Sequence, residues 1–171
     1  LDTVVVNGKR TNDQKGADDV YYKNVSNAYV GKEYLERYRV QSAGDVLKGL
    51  NSVYNMNTRT AGGAITPNIR GITGKGRIPV TLDGTEQTVD VWLNNYGVGD
   101  RNYLDPALFR SIAVEKSPAM TRGVKSGVGG AMSIRTIEPA DIIPEGRNWG
   151  IEVKTEFSGN TVAQKNDLRP F

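Results

Sequence analysis

The sequence predicts an α+β fold with a small mixed β-sheet, short helices and long loops, and three observations support this prediction. Short stretches alternate between apolar and polar residues, the period of two that a half-buried strand requires. Glycine makes up 20 of the 171 residues, above the usual ~7%, which predicts many turns. Only 37% of the residues are hydrophobic, so we expect a thin core.

The composition excludes several classes of site. The chain has neither cysteine nor histidine, so its own residues cannot form disulfides, thiolate or imidazole zinc sites, His-containing catalytic triads or His-ligated haem. The net charge is +3, from 22 basic and 19 acidic residues. These charges are scattered, whereas a nucleic-acid groove needs a basic stripe. We therefore expect no resident cofactor, no metal and no nucleic-acid partner.

The first residues combine an extended segment with a polar spacer. Val4-Val5-Val6 favours extended backbone because each side chain is β-branched. Residues 10–19 are mainly polar or small, a linker composition with little to bury. Two interpretations remain open here: an edge strand of the chain's own sheet, or a docking peptide that adds a strand to a partner's sheet.

Two short helices are expected next. Residues 32–38 place the apolar parts of Tyr34, Leu35 and Tyr38 on one stripe. Ser42-Ala43-Gly44-Asp45 is typical of a helix N-terminus. The inward-facing residues of this second helix are expected to be Val46, Leu47 and Leu50.

Asn68-Ile69-Arg70-Gly71 is expected to end a strand at a turn. Ile65, Pro67 and Ile69 share one parity and therefore one face, which puts Arg70 on the opposite, polar face. Its guanidinium is therefore expected to point out of the sheet and not into a core, and the plain alternative is a solvated arginine at a strand end before a glycine turn.

Further strands are expected from the same alternation. Residues 78–82 form one of them, and Asp83-Gly84 supplies the turn after it because glycine accepts a positive φ. The others are residues 53–58, 111–116 and 131–136. Asp105-Pro106 predicts an N-cap followed by proline at the first helical position, which gives one short turn.

Nothing in the sequence supports nucleotide binding or catalysis. Gly74-Lys75-Gly76 lacks both the first glycine and the Ser/Thr of a phosphate loop, and residues 123–130 lack dinucleotide-binding spacing. Asp83, Glu86 and Asp90 could be imagined as acid-base carboxylates, but no nucleophile accompanies them. We expect that the chain is not an enzyme.

A polar-aromatic segment extends over residues 85–102. Trp, Tyr, Asn and Arg interspersed with glycine are typical of an adaptable contact surface. An ordinary long surface loop is the alternative. The candidate ligand-contacting residues in and beside this segment are Trp92, Asn94, Asn95, Tyr96, Arg101 and Tyr103.

The end of the chain has a different pattern. Between Trp149 and Phe157, apolar residues on one face alternate with charged residues on the other. This alternation, with aromatics at both ends, predicts the first strand of a transmembrane β-barrel, although a half-buried strand of a soluble sheet would look similar.

From Asp2 to about Thr136 the chain resembles the N-terminal plug domain of TonB-dependent outer-membrane receptors. Several blocks carry the resemblance in the family's order, and Lys116-Ser117-Pro118 departs from the family's usual Arg-Gly-Pro. The matching blocks are residues 2–6, similar to a TonB box, 42–53, Asn68 to Gly71, Val80 to Gly84, Leu108 to Pro118 and Gly127 to Thr136.

The resemblance implies a division into a TonB box and flexible linker (1–19), a plug (20–145), and the first barrel strand and loop (146–171). It implies an outer-membrane location with the N-terminus facing the periplasm. The inner-membrane protein TonB would bind the box through its C-terminal domain and energise uptake. The box residues are Asp2, Thr3, Val4, Val5 and Val6.

The resemblance also implies a cargo and a contact with the receptor's own barrel. The cargo would be an iron chelate: haem, a haem-carrying protein or a ferric siderophore. Three cationic residues would meet carboxylates of the barrel wall, namely Arg70, Lys116 and Arg135. The main rival is a soluble periplasmic or extracellular β-rich module that binds a ligand through its aromatic residues.

Overall fold

The structure is a computed structural model that describes residues 12–38, 43–56, 64–74, 76–87, 89–92, 98–118 and 127–155. The chain divides into two compact units, one ending at Ile137 and the other beginning at Glu138. The TonB-box residues 2–6 lie outside the described residues, as do Asn94, Asn95 and Tyr96.

Within the described residues, ten strands and three α-helices are found. The strands are β1 (Asn27–Val30), β2 (Val53–Asn55), β3 (Ala64–Ile65), β4 (Pro67–Ile69), β5 (Val80–Leu82), β6 (Thr85–Gln87), β7 (Val89–Trp92), β8 (Val98–Tyr103), β9 (Phe109–Glu115) and β10 (Ala131–Thr136). The helices are α1 (Asn12–Tyr22), α2 (Lys32–Tyr38) and α3 (Pro139–Ile142), and 3₁₀ turns cover Ala43–Leu47 and Pro106–Leu108.

The main sheet has five strands in the order β1-β9-β10-β5-β6. Its pairs are antiparallel except β10 with β5, which is parallel. Two smaller sheets accompany it, β2-β4 and β3-β8-β7. The predicted small mixed sheet with short helices is therefore confirmed.

The core lies on one face of the main sheet. Ile112 and Val114 of β9 and Met132 and Ile134 of β10 are fully buried, which is the period of two that the sequence predicted. Leu35 of α2 packs into the same cluster together with the buried 3₁₀ turn at Ala43–Leu47. Each such side chain contributes roughly 1.5–3 kcal/mol when fully buried, so these few residues hold the first unit together.

Three sequence expectations need correction in the first unit. Residues 12–19, expected as part of a flexible linker, belong to α1, because side chains of later strands hold this polar segment in place. Part of the expected long loop is the antiparallel pair β7–β8. Asn68 is buried beside Pro67 and Ile69, so β4 does not show simple alternation; the Asn68 side chain is needed inside its own turn, as described below.

The second unit contains α3 and an irregular chain. Glu138 and Asp141 form a capping box around the start of α3. Residues 149–155 do not form a β-strand. A strand needs a neighbouring strand to hydrogen-bond with, and the described residues provide none for this segment. Trp149, Ile151 and Val153 are nevertheless strongly exposed. None of the helices in the described residues has the length and apolar character needed to cross a bilayer.

Candidate functional site

A left-handed turn places Arg70 at a corner of the first unit. Arg70 has φ 54° and Gly71 has φ 86°, a region that non-glycine residues rarely adopt. The Asn68 side chain stabilises this turn, since its Oδ1 accepts a hydrogen bond from the Gly71 amide at 2.8 Å. The Arg70 amide in turn donates to the Ser52 carbonyl at 3.0 Å. This geometry explains the Asn-Ile-Arg-Gly sequence at this point.

The Arg70 guanidinium reaches across to the end of β9. It donates to the Lys116 carbonyl at 3.2 Å and to the Ser26 hydroxyl at 2.9 Å. The Lys116 amide donates to the Ser26 carbonyl at 2.7 Å, which closes the arrangement. We call Ser26, Arg70 and Lys116 the cationic corner, and the structure thus brings together two of the three residues predicted to face the barrel.

The electrostatics of the cationic corner favour an anionic partner. Burial lowers the pKa of Lys116, and the neighbouring positive charge of Arg70 lowers it further. Among the described residues, no carboxylate forms an ion pair with Arg70 or Lys116. A carboxylate brought to this corner would offset both the desolvation of the lysine and the repulsion between the two cations.

Arg135, the third predicted contact, lies elsewhere on the sheet. It pairs in register with Ser111 of β9, and Lys116 is five residues further along the chain, about 16 Å at the usual strand rise. Arg135 is exposed and contributes the smallest of the influences that lower the pKa of Asp83. The structure therefore separates Arg135 from the cationic corner.

Asp83 forms a second local site at the turn between β5 and β6. Its φ is 47°, and Gly84 follows at φ 84°, which fits the tight hairpin turn that the sequence predicted. The carboxylate accepts hydrogen bonds from the Thr136 hydroxyl at 2.6 Å and the Thr136 amide at 2.9 Å. These bonds lower the pKa of Asp83. Asp83 is thus a structural tie between the hairpin and β10.

The β7–β8 hairpin carries the predicted ligand-contacting residues that the structure describes. Trp92 at the end of β7 pairs in register with Val98 at the start of β8, and residues 93–97 connect the two strands in the sequence. Arg101 lies on β8, and Tyr103 at its end is half exposed. Asn102 between them is buried and donates to the Ile65 carbonyl at 3.1 Å, which fixes β8 against β3. Sequence reasoning missed this role of Asn102.

A cluster that joins α1 to the main sheet was also missed. Asp13 accepts hydrogen bonds from Arg110 of β9 and Tyr29 of β1. One sequence cannot reveal this cluster. Asp13 and Arg110 have opposite charges, but 97 residues separate them and no local pattern pairs them. No group of residues able to hold a metal ion occurs in the described part of the chain.

Comparison with known proteins identifies the family. Residues 19–131 match the family described as the TonB-dependent Receptor Plug Domain, which is more than half of the chain. The chain belongs to this family. The matched region includes the cationic corner and the Asp83 turn but not the TonB-box residues.

Two relatives of the plug domain are receptors or binding proteins by name. The "Hemophilin receptor" of Acinetobacter baumannii is 43% identical over 162 residues, covering 95% of this chain and 15% of the relative. "Lactoferrin-binding protein A" of Neisseria meningitidis serogroup B is 33% identical over 97 residues, covering 52% of this chain and 10% of the relative. The chain thus spans a small part of each relative's length.

One solved structure shares the fold of the plug domain. It is a double mutant of the hemophore receptor HasR of Serratia marcescens, in complex with its hemophore HasA and heme. The TM-score is 0.67 at 24% identity, over 75% of this chain and 19% of that chain. This match confirms the small mixed sheet predicted from the sequence.

Proposed function

We propose that this plug domain gates the energised uptake of an iron chelate through a TonB-dependent outer-membrane transporter. The observation that carries the proposal is the family match over residues 19–131, and the fold shared with a solved hemophore receptor is consistent with it. The rival, a soluble β-rich binding module, does not account for this family membership. An enzymatic role is not proposed, because the relatives are receptors and binding proteins by name.

Residues 2–6 are proposed to be the site at which TonB binds. Three successive β-branched valines favour the extended backbone needed for strand addition to the TonB C-terminal domain. Such a site must face the periplasm, where an inner-membrane partner can reach it. The N-terminus of the receptor is therefore proposed to lie on the periplasmic side of the outer membrane.

The cationic corner is proposed to meet carboxylates of the receptor's own barrel wall. The support is the lowered pKa of Lys116, together with the lack of a carboxylate partner for it within the described residues. Arg135 would make a separate contact, since it lies on a different part of the sheet. The strand after residue 146 is proposed to pair only when the neighbouring barrel strands are present.

The cargo is proposed to be haem that is delivered by a haem-carrying protein. A ferric siderophore is the alternative cargo. The relative whose alignment covers 95% of this chain is a hemophilin receptor by name, which favours a protein-borne cargo. The β7–β8 hairpin would contact it through Trp92, Asn94, Asn95, Tyr96, Arg101 and Tyr103. No histidine is present, so an iron ligand from this chain would be a tyrosine such as Tyr96 or Tyr103.

The test uses the whole receptor in a host that lacks its own haem and siderophore receptors. Growth on haem, haem-carrying protein or ferric siderophore as the sole iron source is compared for the wild type, Val4→Pro and the matched control Val4→Thr. Proline removes a backbone donor from the added strand, whereas threonine keeps it. We expect Val4→Pro to lose uptake but keep cargo binding, and Val4→Thr to transport. Uptake by Val4→Pro at the wild-type rate would contradict the proposal.

A further inference from the structure

Along the chain, helix α1 comes between the proposed TonB-binding residues and the first strand of the main sheet. The helix covers Asn12–Tyr22, and β1 begins five residues later at Asn27. Within the described residues, β1 is at the edge of the sheet and pairs only with β9. Any force applied to the N-terminal residues must therefore pass through α1 before it reaches the first strand.

The docking of α1 on β1 leaves no room for a side chain at two glycine positions. A Cβ atom at Gly16, in the middle of the helix, would overlap the ring of Tyr29. A Cβ atom at Gly31, just after β1, would lie 2.8 Å from Cγ of Asp13. Glycine inside a helix costs about 1 kcal/mol relative to alanine, so its presence at Gly16 is explained by the close packing against Tyr29.

The docked helix is held mainly by polar contacts. One Arg110 nitrogen lies 2.7 and 2.8 Å from the two Asp13 carboxylate oxygens, and the Tyr29 hydroxyl donates to the same carboxylate at 2.6 Å. Just after the other end of the helix, Lys23 lies 3.9 Å from Glu115 of β9 and also 3.2 Å from Asp19 of α1.

The same contacts set the charge state of the carboxylate. Burial alone would raise the pKa of Asp13, but the hydrogen bonds from Arg110 and Tyr29 outweigh it and the pKa falls below its usual value. Asp13 therefore stays ionised and holds Arg110, which is itself mostly buried at 14% side-chain exposure.

Apolar burial contributes little to the docking of α1. Tyr21 and Tyr22, the large side chains at its end, are 84% and 81% exposed. An isolated helix of 11 residues with an internal glycine is marginal in water. Undocking and unfolding of α1 are therefore coupled, and neither requires the hydrophobic core to open.

We propose that α1, with its contacts to Tyr29, Gly31 and Arg110, is a releasable clasp that must leave the sheet before the plug can be opened by a pull on residues 1–11. The inference rests on the proposed function. As a helix the 11 residues span about 16 Å, and extended they span about 36 Å. Release therefore gives the TonB-binding residues about 20 Å of additional reach while the core stays folded.

A disulfide across the clasp tests this role. The Cβ atoms of a disulfide lie about 3.5–4.5 Å apart. A cysteine at position 31 would be close enough to one at position 13, because its Cβ would lie 2.8 Å from the Cγ of Asp13, the atom that a cysteine sulfur would replace. The chain contains no cysteine, so the double variant Asp13→Cys/Gly31→Cys has no competing thiol here. It is made in the whole receptor, and thiol labelling measures the fraction that is cross-linked.

The oxidised double variant is expected to bind cargo with unchanged affinity and to lose uptake. Reduction should restore uptake, because the helix can then leave. The single variants Asp13→Cys and Gly31→Cys are the matched controls and should transport under both conditions. Uptake at the wild-type rate by fully cross-linked receptor would overturn the clasp.

The two proposals fail in different ways. If Val4→Pro abolishes uptake while the cross-linked receptor still transports, the TonB-dependent role stands and the clasp is wrong. If Val4→Pro transports normally, the proposed function itself is wrong. If reduction of the double variant does not restore uptake although cargo still binds, the loss did not come from the cross-link and the clasp is again contradicted.

Discussion

Asp83 and Thr136 are joined by two hydrogen bonds although 53 residues separate them in the chain. One carboxylate oxygen accepts from the Thr136 amide and the other from its hydroxyl. The carboxylate thus connects the β5–β6 turn to the end of β10, next to the parallel pair in the middle of the sheet. The Asp-Gly turn is therefore a structural joint as well as a change of chain direction.

Replacing Asp83 by alanine should weaken this joint. Alanine removes both hydrogen bonds and is strained at φ 47°, whereas asparagine tolerates that conformation and keeps one acceptor. We expect Asp83→Ala to speed hydrogen exchange of the Thr136 amide about fivefold to tenfold, corresponding to about 1 kcal/mol or more. Asp83→Asn should have a smaller effect. Equal exchange rates in both variants and the wild type would contradict this.

The stability of the Asp83–Thr136 hydrogen bonds should also depend on pH. The pKa of Asp83 in the folded protein is below its ordinary value of 3.8. A carboxyl with a lowered folded pKa stabilises the native state above its unfolded pKa, and this stabilisation is lost as the pH falls through the folded value. Exchange at Thr136, corrected for intrinsic rates, should therefore be flat from pH 7 to about 5 and rise below about pH 4. Asp83→Asn, which does not titrate, is the control.

Gly16→Ala should loosen α1 even though alanine is the better helix former. Helix propensity alone predicts stabilisation by about 1 kcal/mol. The structure predicts the opposite sign, because the new methyl group would meet the Tyr29 ring. Hydrogen exchange over residues 12–22 in the whole receptor should be faster in Gly16→Ala than in the wild type. Lys15→Ala, at an exposed position of the same helix, should not show this increase.

Tyr29→Phe should weaken α1 without disturbing the ring contact to Gly16. Only the hydroxyl that donates to Asp13 is removed, so the loss should be about 0.5–1.5 kcal/mol. Exchange over residues 12–22 is expected to rise while exchange over β10 stays unchanged. If β10 exchanges faster as well, the hydroxyl supports the sheet and not the helix alone.

Arg70→Gln should raise the pKa of Lys116. Burial is the larger cause of the lowered pKa and would remain, but the positive charge of Arg70 would be gone. A higher pKa leaves less of the neutral amine at alkaline pH. Acylation of Lys116 in the whole receptor, followed by peptide mass spectrometry from pH 8 to 11, should therefore shift to higher pH. A shift to lower pH would show that Arg70 does not act through its charge.

Trp92→Ala and Tyr96→Ala should each weaken cargo binding to the whole receptor. Trp92 ends β7, and Tyr96 follows it in the segment that leads to β8 in the sequence. Truncation of an aromatic hot-spot residue costs about 1 kcal/mol or more of binding free energy. Titration with the cargo that supports growth measures this. Tyr54→Ala, at an exposed aromatic on β2, is the matched control. Wild-type affinity in both variants would remove the hairpin from the binding site.

Local signals in the sequence were enough to predict many of the helices, turns and strands. Helix α2 has the predicted bounds of residues 32–38. The N-cap at Asp105 was also correct, since its carboxylate accepts from the Ala107 amide at 2.8 Å. The alternation of Ile112 and Val114 identified β9 because these residues face the core. In each case the deciding interactions lie within a few residues or on one face of one element.

The elements that were missed depend on distant partners. α1 has a polar sequence with an internal glycine, and it docks through Arg110 of β9. β8 contains no apolar alternation, and it is held to β3 by the buried Asn102. The separation of Arg135 from the cationic corner follows from the register of β9 with β10, which a single sequence does not specify when a long connection and not a tight turn joins two strands.

The pairing of β1 with β9 has a consequence for biogenesis. Tyr29 faces Ala113 across this pair, and β10, which completes the central ladder, comes later still. A chain that is exported from its N-terminus therefore emerges with its first strand unpaired until most of the domain has followed. During that interval the strand presents unpaired backbone groups and is an open template for pairing with wrong segments.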